Sequence, residues 1–269
     1  MHKILLTFIS ATFVATTFSQ QVKLPVGKKF QMITDVKSTS TATAAGQDVD
    51  MYNTSIVYID HELKSATENK LVLGLVIKKV TGSVSMMGQE QNFDSDDSSF
   101  RANPGFEESF RMLGKETEVI VENGKVLVRG ELEEAAKIIS GDNGDANDMG
   151  RVFLLLADSL IKPGYTWTNY DSSEAATTET NQLIYKVTDS SVEVLVNSKL
   201  RIANTISKNG MEVKQQTEGT VKASRIYNRS TGLLMTETAT SEIKGNMDVM
   251  GQQIPLNSKQ DIKTTVRVL

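Results

Sequence analysis

The chain has 269 residues, 39% of them hydrophobic and 23% charged, with 29 basic against 33 acidic residues and a formal net charge of −4. It contains no cysteine, which excludes disulfides, thiolate metal sites, a cysteine nucleophile and lipid acylation at an N-terminal cysteine. No Lys/Arg cluster is dense enough to follow a phosphate backbone, so nucleic acid is not an expected partner.

In chain order, Met1-His2-Lys3 is a basic start and Ile4 to Phe18 an apolar run broken only by Ser and Thr. With Thr17 and Ser19 before a cut at Gln20, residues 1–19 read as an export signal. The run is short for a membrane span and no second one follows, so no transmembrane anchor is expected. The mature product is expected to be soluble, in the periplasm or outside the cell.

Residues 20–269 are expected to form one β-rich domain. Lys28 to Ala44, Val49 to Leu63 and Asn69 to Val80 are Thr-, Val- and Ile-rich stretches suited to extended backbone. "GSVSMMGQEQNFDSD" then closes a hairpin at Gly88. Phe106 to Leu113 reads as a short helix. Glu118 to Gly130 is a hairpin turning at Asn123-Gly124, a preferred pair for a type I′ turn. Glu131 to Ser140 is a good helix former with acids in its first turn. Met149 to Ile161 reads as a further helix, capped by Asp148 and stopped before Pro163-Gly164. From Gly164 the chain returns to long strands joined by tight turns, ending in a four-strand meander.

One phrase repeats. "MMGQ" at Met86 to Gln89 returns as "VMGQ" at Val249 to Gln252, although the chain has only ten methionines beyond its first residue. In both places a Lys and a further Gly stand upstream, and each Met-Gly closes a hairpin whose glycine supplies a positive φ. This pattern predicts two related strand sets, 27–97 and 164–269, with a helical insert at about 103–163. The expected fold class is α+β: a long, twisted antiparallel sheet forming a half-barrel, with two or three helices in its concave face.

The chemistry-bearing residues form no enzyme signature. His61 is the only histidine beyond His2 and shares its strand with Asp60 and Glu62, which alternation places on the other face, so it reads as a surface strand residue. Ser241-x-x-Lys244 matches a penicillin-recognising spacing, but on a strand the two residues diverge. The loops "FDSDDSS" and "GDNGDANDMG" are acidic, but an EF-hand register from Asp142 meets Gly144 third and Ala146 fifth, one from Asp145 meets Met149 fifth and Leu156 twelfth, and no metal is expected. No cofactor is expected either. The "VFLLLA" centre of the segment at 149–161 is apolar around most of a helical circumference, as for a helix wrapped by the sheet. Met149, Phe153, Leu156 and Trp167 are the candidates for lining an apolar groove there.

Gly27-x-x-Phe30 opening a Thr-rich strand, "FDSD" ending a hairpin, "NGKVLVRG" before a helix and "YNRSTGLL" before a late strand together resemble an uncharacterised family of exported bacterial proteins. That family is similar in architecture to the periplasmic lipoprotein carriers, in which a curved antiparallel sheet half-encloses helices and shelters lipid chains. The resemblance implies an exported, non-enzymatic carrier of lipid or another apolar small molecule and transfers no catalytic residue. The alternatives are a carboxylate-based hydrolase and a surface or structural protein whose sheet edges pair with other chains.

Overall fold

A computed structural model describes residues 23–44, 47–67, 70–101, 111–122, 125–127, 151–172, 176–208, 211–249 and 251–269. Twelve strands run through it: β1 (Lys29–Ala44), β2 (Gln47–Ala66), β3 (Lys70–Met86), β4 (Gln89–Asp94), β5 (Glu116–Glu122), β6 (Lys125–Leu127), β7 (Thr166–Ser172), β8 (Ala176–Val187), β9 (Ser191–Lys208), β10 (Met211–Asn228), β11 (Leu234–Val249) and β12 (Gln252–Val268). They form one antiparallel sheet in the order β6-β5-β3-β2-β1-β12-β11-β10-β9-β8-β7. Strand β4 shares an edge of β3 with β5: β4 takes Thr81 to Met86 and β5 takes Lys70 to Val76.

The first and last strands meet in the middle, from Phe30 opposite Val268 to Ala42 opposite Leu256. Two meanders therefore spread from a shared seam, one in ascending and one in descending chain order. Most consecutive strands pair with each other; the β3–β5 pairing skips β4, and the β1–β12 seam joins the most distant segments.

Alternation along the strands sorts residues onto two faces. One face gathers Phe30, Val57, Ile59, Leu63, Leu73 and Leu75 into a first core, each at most 1% exposed. On the same face Ile184, Val192, Val194, Val196, Tyr227 and Leu234 form a second core across the seam. Burying an aliphatic or aromatic side chain of this size contributes roughly 1.5–3 kcal/mol, so the side-by-side cores dominate the stability of the sheet.

The repeated Met-Gly phrase is an echo of backbone geometry. Met86 pairs with Gln89 across the two-residue turn Met87-Gly88, whose φ angles are 53° and 79°. Positive φ at both central positions is the type I′ turn that suits a twisted hairpin, and it is uncommon for methionine. Val249 pairs with Gln252 across the equivalent turn, where Gly251 has φ 85° and its N–H donates to Asp248 Oδ1 at 2.8 Å. Six residues before each turn glycine stands another glycine, Gly82 or Gly245. A Cβ at Gly82 would strike the Thr54 carbonyl oxygen, and one at Gly245 the Gln216 carbonyl oxygen. Both halves thus use a side-chain-free residue where the adjoining strand's backbone comes closest.

The α+β expectation is overturned. Among the described residues the only α-helix is the single turn α1 (Ser98–Arg101), no helix lies in a concave face, and the chain is an all-β sheet with β6 and β7 as its ends. The expected helix at Met149–Ile161 is not formed over 151–161: a brief 3-10 turn at each end flanks extended backbone, with Ala157 at φ −62° and ψ 143°. Residues 111–113 of the expected helix at Phe106–Leu113 lie in a turn in which Leu113 bridges Ile77. The expected helix at Glu131–Ser140 lies outside the described residues. The hairpin expected around Asn123-Gly124 closes with Glu122 opposite Lys125.

Candidate functional site

The segment 151–161 is an apolar strap across the core face. Phe153 and Leu155 pack into the first core, while Leu154, Leu156 and Ile161 pack against the second. Over 153–156 odd and even positions part company because extended backbone turns successive side chains to opposite sides. A strap between two cores must therefore be apolar at both parities, and that requirement mimics an all-round apolar helix. Phe153 is 4% exposed and meets Phe30 edge-on, with centroids 5.9 Å apart and an interplanar angle of 86°.

The strap docks on the turn that follows β10. Leu154 N–H donates to the Gly232 carbonyl at 2.8 Å, and Phe153 forms an isolated antiparallel bridge with Leu233. That turn is the "YNRSTGLL" motif: Asn228 Oδ1 accepts from the N–H groups of Ser230 and Thr231, and Gly232 takes φ 72°. Tyr227 sends its hydroxyl to the Arg151 carbonyl at 3.1 Å. Burial pushes the Tyr227 phenol above its ordinary range, so it stays a neutral donor.

Beside it lies a buried ion lock. Glu237 on β11 is 2% exposed. Arg225 Nε donates to its Oε1 at 2.7 Å, and Arg151 Nε of the strap stands 3.1 Å from its Oε2 as an ion contact lacking a hydrogen bond's alignment. Burial alone would raise the Glu237 carboxyl, but the two guanidinium charges outweigh it and hold the pKa below the usual carboxylate value. A carboxylate held ionised in this way is a clamp between strap and sheet and a poor proton donor.

His61 is not the surface residue expected from its neighbours. It is 3% exposed, stacks on Phe30 at 5.0 Å and 5°, and leaves Nδ1 without a hydrogen-bond partner. Desolvation lowers its pKa from 6.5 to about 4, against smaller opposing effects from the Ile59 backbone and the Asp60 charge. Asp60 and Glu62 do point to the other face, where Glu62 pairs with Lys29 and Lys64. In the "FDSD" turn, Lys79 engages both Asp94 at 3.1 Å and Asp96 at 2.6 Å. Fully buried Ser95 accepts the Val80 N–H through Oγ. These contacts make the acidic turn a closure for β3 and β4. The other acidic loop, "GDNGDANDMG", lies outside the described residues.

Beyond the strap, the middle of the core face on β9 to β12 carries no charge. Register places Ser198, Leu200 and Ile202 of β9, Thr217, Gly219 and Val221 of β10, Ser241, Ile243 and Gly245 of β11 and Leu256, Ser258 and Gln260 of β12 on this face. Their alternating neighbours on the opposite face include Lys199, Arg201, Glu218, Glu242, Lys244 and Lys259. Ile202 is 8% exposed, whereas Ile243, Ile254 and Leu256 are half-buried.

Of the four residues singled out from sequence, Met149 lies outside the described residues. Phe153 belongs to the first core. Leu156 and Trp167 are half-buried against the second, where Trp167 stacks on Tyr165 with centroids 5.9 Å apart. Arg151, Tyr227 and Glu237 were missed, because nothing in the local pattern of a Thr-rich strand distinguishes a carboxylate that will meet two distant arginines. The "YNRSTG" turn was visible, but not what docks on it.

No protein-family model matches the chain, and no curated protein matches it by sequence, so the resemblance to an exported bacterial family rests on the motifs alone. Among solved structures the chain is similar to one titled "Lipid-protein interactions in lipovitellin", at 11% identity and a TM-score of 0.52, over 90% of this chain and 26% of that one. The chain thus spans about a quarter of that protein, and at this identity the likeness is one of fold. Pseudomonas aeruginosa OccK5 aligns over 93% of this chain and 100% of its own at 5% identity, with a TM-score of 0.25, too low to bear on the fold.

Proposed function

We propose that this chain is an exported, non-enzymatic binder or carrier of lipid or another apolar ligand, which it takes on the core face of its sheet beyond the strap. The observation behind this reading is the sorting of charge. Beyond the Arg225–Glu237 pair, the ribbons β9 to β12 place Lys199, Arg201, Glu218, Glu242, Lys244 and Lys259 on one face and leave aliphatic, hydroxyl and glycine positions on the other. A stripe of that composition offers apolar contact without the cost of burying an ion. The fold likeness to a structure whose title concerns lipid–protein interactions adds support. Export is read from residues 1–19 alone.

The test uses the full chain expressed with its N-terminal segment, purified gently, extracted with organic solvent and analysed by mass spectrometry. Stoichiometric lipid is expected with the wild type and its loss with Ile243→Lys, at a half-buried position whose substitution should leave circular dichroism unchanged. Equal lipid in both proteins, or none in either, would sink the reading.

A further inference from the structure

The face opposite the cores carries a groove of about 520 Å3 over the seam, spanning β1, β12, β11, β10 and β9. It is lined by Leu195, by the short side chains of Ser224, Thr238 and Thr240, and by Lys37, Lys222, Lys263, Asp35 and Asp261. Lys263 stands in direct register with Asp35 on one side and Thr238 on the other, and Lys37 stands opposite Asp261. Among the described residues, none of these lysines makes an ion pair, although Lys29, Lys64 and Lys79 elsewhere on the sheet all do. Opposed carboxylates and ammoniums that stay apart across a groove leave both signs available to a molecule lying between them.

The groove carries both signs side by side, Lys222 on β10, Lys263 and Asp261 on β12, and Asp35 and Lys37 on β1. Over β10 to β12, Lys263 stands beside Thr238 and Lys222 beside Thr240, a set of donors suited to a tetrahedral oxyanion with several acceptor atoms. Over β12 and β1, Asp261 and Asp35 supply acceptors for a cation; Asp261 already accepts from Thr240 at 3.3 Å and retains its second oxygen. A ligand with an anionic and a cationic end, short enough to lie across a few strands, meets both. We propose that this groove binds a phosphorylated amino alcohol, either free or as the head group of a lipid. The site lies on the other side of the sheet from the apolar stripe and does not rest on the carrier reading.

The experiment is isothermal titration of the full chain with phosphoethanolamine and phosphocholine at low ionic strength, beside co-sedimentation with phosphatidylcholine vesicles. Saturable binding is expected, weakened about tenfold by each of Lys222→Ala and Lys263→Ala, as for loss of one charge-assisted contact. Asp261→Asn should weaken both zwitterions and leave any residual binding of inorganic phosphate unchanged. Lys244→Ala, on the same face outside the groove, should change nothing. Binding of the free compounds without vesicles identifies a soluble ligand, and binding of both identifies a lipid head group. No saturable binding of either, or binding that the three groove variants leave unaltered, would overturn the proposal whether or not lipid co-purifies.

Discussion

His61 supplies a pH test of the first core. The ring is sealed between Phe30 and the aliphatic side chains of that core, and desolvation lowers its pKa from 6.5 to about 4. The proton therefore prefers the unfolded chain. Stability linked to this group is fully present above pH 6.5, falls as the pH drops toward 4 and is constant below that. A depression of roughly 2.5 units corresponds to about 3 kcal/mol in total, at 1.36 kcal/mol per unit. About 2 kcal/mol of it should be lost between pH 7 and pH 5. The depressed carboxylates, Glu62, Asp94, Asp97 and Glu237, act only as the pH falls through their ordinary values of 4.5 or 3.8, and so hardly contribute in that window. Urea unfolding at pH 7, 6 and 5 should show the midpoint falling at constant slope. His61→Phe keeps a flat ring against Phe30 and removes the titration, so its midpoint should be nearly level over the same range. A wild type with level midpoints, or a variant with the same decline, would refute the burial of His61.

Two further outcomes test the strap and the close strand approach. Phe153→Ala should cost about 3–5 kcal/mol, as for a fully packed core aromatic, lowering the melting temperature by roughly 6–20 °C. A loss below about 1 kcal/mol would mean that the strap does not sit on the first core. Gly245→Ala must push β10 away from β11 and should cost about 1–3 kcal/mol in thermal unfolding; a neutral result would contradict the tight backbone approach there.

Much of the sheet was legible because its information is local. Thr, Val and Ile in long alternating runs specify extended backbone, and Met-Gly and Asn-Gly pairs specify where hairpins reverse. Once each strand pairs with its neighbour, little of the topology requires distant information. The strap was misread for a definite reason: "VFLLLA" is apolar at every position, and a short run of that kind does not separate a helix from an extended segment touching apolar surface on both sides. Of the groove candidates, Phe153 lies in the first core while Leu156 and Trp167 flank the second.

Sequence alone determined the extended ribbons and the positions of their tips, because each depends on residues within a turn or two of one another. Only the tertiary structure decided that β1 meets β12, that Arg151 of the strap reaches Glu237 on β11, and that His61 and Phe153 share the ring of Phe30. Those contacts join residues separated by tens to hundreds of positions, and their partners are selected by packing and charge in three dimensions, which no short-range pattern encodes.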